Sequence, residues 1–179
     1  QQFQGFIHSN PLFSLGNTRL ITGLRTGFPC KRIDKGGFTH IGDTYVPDED
    51  MQNAVRTLHQ KGYQLLVATT PVVPRIANDE RVRWSGLKDI PWLDVTSFET
   101  YNYSKPNVKY FEQICEKYHL NPAECLMVGD SLAKDYPATE LGMDFYLLLN
   151  EDSPEAEKQQ AFEGKKGSRK DLLAYVESL

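Results

Sequence analysis

The sequence predicts an α/β domain built on a parallel sheet, and three observations carry that expectation. From about Pro47 onward, stretches with helical apolar spacing alternate with short apolar runs, the order that a parallel sheet requires. Apolar residues make up 40% and charged residues 25% of the 179, which is enough hydrophobic material for one compact domain. Polar strings follow directly on the apolar runs, where open parallel sheets bind their ligands.

Pro47 and Asp48 suit the first turn of a helix, and Met51, Ala54, Val55 and Leu58 follow at i, i+3, i+4 and i+7. Gly62 stops that helix, and Tyr63 to Ala68 reads as a buried strand broken by Thr69-Thr70-Pro71. A second helix is expected over Pro74 to Trp84, with Gly86 as its stop, and Val95 to Phe98 reads as a weak strand. Lys105-Pro106 opens a third helix, with Val108, Phe111, Cys115 and Tyr118 along one face. Asn121-Pro122-Ala123-Glu124 has the cap, first-turn Pro and third-position Glu of a very short helix. Cys125 to Val128 is a further strand ending at Gly129-Asp130, Tyr136 to Leu141 is helical, and Phe145 to Leu149 is the last clear strand. Glu151 to Arg169 is polar and reads as a loop with little fixed structure, before an amphipathic helix over Asp171 to Leu179. The first 46 residues are rich in Gly, Asn, Thr and Pro, and only Thr18 to Leu24 resembles a strand. They form an atypical N-terminal segment, a divergent first strand with loops, ahead of a core over residues 47–179.

Several function classes fall away. No apolar run approaches the ~18 residues of a membrane-spanning helix, so no membrane partner is expected. Twenty Lys and Arg against 24 Asp and Glu give a net charge of −4, and no nucleic-acid partner is expected. Cys30, Cys115 and Cys125 lack CxxC spacing, which argues against a disulfide scaffold or zinc site and for a reducing cytoplasm. His8, His40, His59 and His119 show no metal-ligand spacing. Nothing in the sequence fixes an oligomeric state.

Three polar constellations fall at strand ends: Thr69 with Thr70, then Lys105, then Asp130 and Asp135 in the string GDSLAKD. Taken singly, each has a plain structural reading, as a strand terminator, a solvated first-turn cation and a helix N-cap. Arg75, Arg81, Arg83 and Trp84 lie close to Thr69 in the chain, but Arg75 and Asp79 at i,i+4 favour a solvated helix face. Tyr101 and Tyr103 favour packing between loop and sheet over ligand contact. Lys165, Lys166, Arg169 and Lys170 read as solvated.

In order and interval, the strings LLVATTP, SKPN and VGDSLAKD resemble the second, third and fourth motifs of the haloacid dehalogenase (HAD) superfamily, most of whose members are magnesium-dependent phosphohydrolases. PRIANDERVRWSGL and AECLMVGD look like its bacterial phosphoglycolate-phosphatase-like branch. The resemblance covers Pro47 to Leu149 and implies a Rossmann-like three-layer sandwich, here with no recognisable cap domain. It implies Mg²⁺ as cofactor and a small phosphorylated substrate. By the same resemblance, Thr69 and Thr70 bind phosphate, Lys105 offsets the charge of nucleophile and phosphate, and Asp130 ligates the metal. Asp135 orients a water of the metal or holds Lys105, which with Thr69 makes a catalytic set. Ser131 either hydrogen-bonds in the metal shell or caps the next helix.

The family's nucleophile is the first Asp of a DxD string ending its first strand. No such strand-end DxD precedes Thr69: the string LITGLRTG puts Gly23 and Arg25 at those positions, and RIDKGG offers only Asp34. Gly carries no nucleophile and Arg cannot act as a base. Three explanations are open. The chain is part of a longer phosphatase whose first strand and cap lie upstream of Gln1; or it is a domain that has lost catalysis and binds a phosphorylated ligand or a protein partner; or Asp34 or Asp43 reaches the site from a loop. The expected function is therefore hydrolysis of a small phosphomonoester by the intact protein, with a catalytically impaired binding domain as the alternative.

Overall fold

The computed structural model describes residues 46–179. The strand expected at Thr18 to Leu24, the positions Gly23 and Arg25, and the carboxylates Asp34 and Asp43 lie outside the described residues. The elements are α1 (Glu49–Gln60), β1 (Leu66–Val67), α2 (Arg75–Trp84), β2 (Asp94–Val95) and α3 (Val108–Tyr118). A 3₁₀ turn at Pro122–Glu124 leads into β3 (Leu126–Gly129), α4 (Leu132–Asp135), a second 3₁₀ stretch (Tyr136–Leu141) and β4 (Asp144–Leu148). Then come α5 (Ala156–Ala161), β5 (Lys166–Gly167) and α6 (Arg169–Ser178).

All strand pairings among the described residues are parallel, as a two-stranded group β1-β2 and a three-stranded group β3-β4-β5. Side chains alternate along the strands and build two apolar layers. Leu65, Leu126, Val128, Tyr146 and Leu148 pack with Val55 and Leu58 of α1 and Leu172 and Val176 of α6. Leu66, Met127, Phe145 and Leu147 point the other way, onto Tyr110, Phe111 and Ile114 of α3. The result is the expected α/β fold with helices on both faces of a parallel sheet. Phe111, Leu58 and Leu147 are fully enclosed, and burial of each side chain contributes roughly 1.5–3 kcal/mol.

Local sequence explains most element ends. The Asp48 carboxylate accepts from the Met51 N–H at 2.9 Å and starts α1. Ser168 and Asp171 form a reciprocal capping box at α6, so that helix begins at Arg169, two residues earlier than its apolar spacing suggests. The third helix starts later than expected: Asn107, not Lys105, is the cap, accepting from the Lys109 N–H at 3.0 Å. Lys105 therefore stands in the loop after β2. The largest correction falls on Glu151 to Arg169, expected as an unstructured loop, which instead contains α5 and β5. The sequence shows no apolar stripe there because Gln159 is the buried residue of α5.

Asp94, at the start of β2, organises the other side of that loop. Its buried carboxylate accepts from Tyr118 Oη at 2.6 Å, Tyr101 Oη at 2.7 Å, Lys117 Nζ at 2.9 Å and Arg75 Nη1 at 3.2 Å. Burial raises its carboxyl, but the bonds from Tyr118, Tyr101 and Lys117 outweigh burial and hold it below the ordinary carboxylate range. A depressed folded value gives stability that is complete above the unfolded pKa of ~3.9 and is lost as pH falls through the folded value. Asp94→Asn should flatten that acid limb, and Asp94→Ala should cost about 2–3 kcal/mol by stranding the Tyr101 hydroxyl. Urea denaturation between neutral pH and the acid limb tests both; an unaltered acid limb in Asp94→Asn would assign it to other carboxylates.

Candidate active site

Thr69 follows β1, Lys105 lies beyond β2 and Asp130 follows β3, so all three stand past the carboxyl ends of parallel strands. They line one cavity with Thr70, Ser131, Lys134 and Asp135. Each wall is fixed differently. The Thr96 hydroxyl accepts from the Thr69 N–H at 3.0 Å and donates to its carbonyl at 2.9 Å, and Tyr110 Oη donates to the same carbonyl at 2.8 Å. These bonds hold the backbone at the end of β1 against β2 and α3.

On the opposite wall, Ser131 starts α4, its hydroxyl oxygen accepting from the Lys134 N–H at 3.3 Å. Asp135 lies one helical turn on and is folded back beneath the strand end. Its Oδ2 accepts from the Ser131 N–H at 3.1 Å, while Oδ1 meets Lys105 Nζ at 2.5 Å. Gly129 makes room for this carboxylate: a Cβ there would lie 2.2 Å from Asp135 Oδ2. The Lys105 and Asp135 side chains are only 4% and 3% exposed, so the pair is desolvated and each charge depends on the other.

Asp130 is in a different state. Burial, and then the Asp135 carboxylate, push its carboxyl above the ordinary range, against its own backbone hydrogen bond, the Lys105 charge and a hydrogen bond with the Asn150 side chain. A partly desolvated carboxylate beside a second one favours a bound cation, and oxygen donors of this kind suit a hard divalent ion. Asp135 is already committed to Lys105 and the Ser131 N–H. Among the described residues no group of three or more His, Cys, Asp or Glu side chains gathers as a metal cage. The donor set thus fits Mg²⁺ in kind, with Asp130 as its protein ligand and the rest of the shell left to water and phosphate.

The spacing DxD does occur once, at Asp48-Glu49-Asp50. Asp48 caps α1 and approaches Arg169 at 3.5 Å, and none of these three residues lines the cavity. The helix after Thr69 departs from its expected role. Arg75 and Arg83 do make surface pairs, with Asp79 at 2.7 Å and Glu80 at 2.6 Å. Arg81 instead turns inward, 3.2 Å from Asn78 Oδ1 and 3.4 Å from Thr69 Oγ1, and Trp84 is buried. Tyr101 packs inside on Asp94, whereas Tyr103 is exposed. Lys134, inside the string GDSLAKD, adds an exposed cation to the rim.

The sequence model described as haloacid dehalogenase-like hydrolase matches residues 11–140. No curated protein matches the chain. Among solved structures, the chain is similar to a HAD phosphatase from Thermococcus onnurineus, with 24% identity and a TM-score of 0.56 over 73% of this chain and 56% of that one. It is similar to a predicted phosphoglycolate phosphatase from Haemophilus somnus, with 22% identity and a TM-score of 0.58 over 72% of this chain and 56% of that one. A candidate HAD-hydrolase from Bacillus subtilis, bound to magnesium, matches at 19% identity with a TM-score of 0.61 over 79% of this chain and 60% of that one. At these identities the likeness is one of fold, and the chain spans little more than half the length of each of the three.

Proposed function

The chain belongs to the haloacid dehalogenase-like hydrolases, and from that premise we propose that its site serves Mg²⁺-dependent hydrolysis of a small phosphomonoester. The observation that carries this reading is the buried Lys105–Asp135 pair set beside Thr69 and Asp130 in one cavity. Phosphoryl transfer requires positioning and neutralisation of charge more than covalent assistance. In this reading the Thr69 and Thr70 hydroxyls hydrogen-bond phosphate oxygens, and Thr69 does so from a backbone held at both its N–H and its carbonyl. Lys105 faces the phosphate with its ammonium fixed by Asp135, so little reorganisation is needed when the anion arrives. Asp130 holds the cation, which when bound supplies further positive charge to the phosphate. Asp135 acts through Lys105 and is a positioning residue. A carboxylate nucleophile is the part that the described residues do not supply. The magnesium-bound structure from Bacillus subtilis supports the choice of cation, and the two phosphatase structures support the substrate class.

One uncommitted carboxylate gives weak cation binding, because Mg²⁺ sites ordinarily need a carboxylate pair plus substrate phosphate. Calorimetry on the 179-residue chain should give a Kd for Mg²⁺ on the order of millimolar or weaker. Inorganic phosphate should strengthen it, and Asp130→Asn should abolish it. Tight Mg²⁺ binding that survives Asp130→Asn but is lost in Asp34→Asn or Asp43→Asn would move the metal site to the N-terminal segment. Phosphate binding lost in Lys105→Ala, without any turnover by the intact protein, would favour a binding domain over an enzyme.

A further inference from the structure

We propose that α5 positions the Asp130 turn for its cation, with Gln159 as the central positioning residue and Glu155 as an outer brace. The inference rests on the reading of Asp130 as the cation ligand. Gln159 is 1% exposed, and the cost of burying a primary amide is offset only when both its donor and its acceptor are used. Both are used here. Nε2 donates to the Asp130 carbonyl at 2.6 Å, and Oε1 accepts from the Asn150 N–H at 2.9 Å. Asn150 in turn hydrogen-bonds the Asp130 carboxylate. Gln159 therefore acts on Asp130 from two sides, directly on its backbone and through Asn150 on its side chain.

Glu155 meets the same turn one step further along. Its Oε2 accepts from the Ser131 hydroxyl at 2.9 Å, and its Oε1 accepts from the Ala133 N–H at 3.2 Å. Residues 130, 131 and 133 are thus each tied to α5 or the residue preceding it. A helix whose buried residue is a glutamine contributes little apolar packing; what it contributes is a set of directional bonds, and every one of these contacts ends on the turn that carries Asp130 or on its neighbour Asn150. Residues that orient a metal ligand typically change metal affinity by about 10–100-fold when replaced.

The test uses the 179-residue chain with Mn²⁺ as probe, read as paramagnetic broadening of the Asp130 and Ser131 amide signals. Gln159→Leu should weaken Mn²⁺ about tenfold while the remaining amide spectrum stays native. Gln159→Glu keeps the acceptor for Asn150 but turns an acceptor toward the Asp130 carbonyl, and should weaken Mn²⁺ at least as much. Folded Gln159 variants with lower Tm but Mn²⁺ affinity within about twofold of wild type would reduce the residue to a structural tie and overturn the proposal. Should neither Gln159 variant fold, the partly exposed Glu155→Ala decides: about threefold weaker binding supports the brace, and unchanged binding overturns it. No broadening at Asp130 in the wild-type chain would remove the cation reading itself, and this inference with it.

Discussion

Lys105→Met should destabilise the protein by about 3–5 kcal/mol and abolish phosphate binding. The magnitude follows from what remains: the Asp135 carboxylate, 3% exposed, loses its countercharge and cannot reach water. Asp135→Asn should also destabilise, because it removes the carboxylate that meets the buried ammonium at 2.5 Å. The double variant Lys105→Met/Asp135→Asn should cost clearly less than the sum of the two, since the two side chains share one interaction and neither single variant removes both charges. Urea denaturation of the four proteins gives the coupling directly, and additive effects would mean that the pair is not the energetic unit described here. The pair Lys165–Asp144, 3.1 Å apart with 46% and 68% exposure, is the internal control. Lys165→Met should cost no more than about 1 kcal/mol, because solvent already screens that contact.

The largest effect on rate concerns the chain acting alone. With Mg²⁺ and a generic aryl phosphate, the 179-residue protein should show no more than trace turnover. Loss of a nucleophile from a comparable catalytic unit costs on the order of four to six powers of ten, even when the charge-stabilising groups remain. In the proposed roles Thr69 and Lys105 hold phosphate and Asp130 holds its cation, but none of them forms the acyl-phosphate linkage that a carboxylate nucleophile provides. Asp48-Glu49-Asp50 does not fill this role, because Asp48 is spent on the first turn of α1. Release of the aryl alcohol, followed with substrate well above KM, measures the rate. Robust turnover that disappears in Asp130→Asn would refute the prediction and show that a carboxylate such as Asp34 or Asp43 enters the cavity.

The parts of this site legible in the sequence share a physical cause. Thr69 and Asp130 each follow an apolar run, and the end of a run marks the edge of the sheet where a ligand is reached. Asp135 is legible through the string GDSLAKD and the family resemblance that it carries, and the structure shows why the interval works, since one helical turn returns it to the same cavity. Lys105 stands a few positions before the helix that the sequence assigns it to, because Pro106 fits the first turn of a helix as well as the loop that it occupies. The supports were not legible. Gln159 and Glu155 lie in a polar stretch with no periodic apolar signal, and a buried amide reads in sequence like any exposed one. Asp94 stands one residue before the expected strand, and its four side-chain donors come from residues 75, 101, 117 and 118, which no local pattern connects. Gly129 shows its purpose only once Asp135 is seen lying where its side chain would be.

The cavity is assembled from segments far apart along the chain. Thr69, Thr70 and Lys105 follow β1 and β2, whereas Asp130, Ser131 and Asp135 follow β3. Mass action connects occupancy of such a cavity to the persistence of the fold. An anion that touches residues from both stretches is bound only while they are assembled, and unfolding must first release it. At about a hundred times its dissociation constant, a ligand bound only by the assembled form adds about 2.7 kcal/mol to the free energy of unfolding. Phosphate that fills the cavity as proposed should thus raise Tm with its concentration, and a ligand-independent Tm would show that the assembled walls do not hold it.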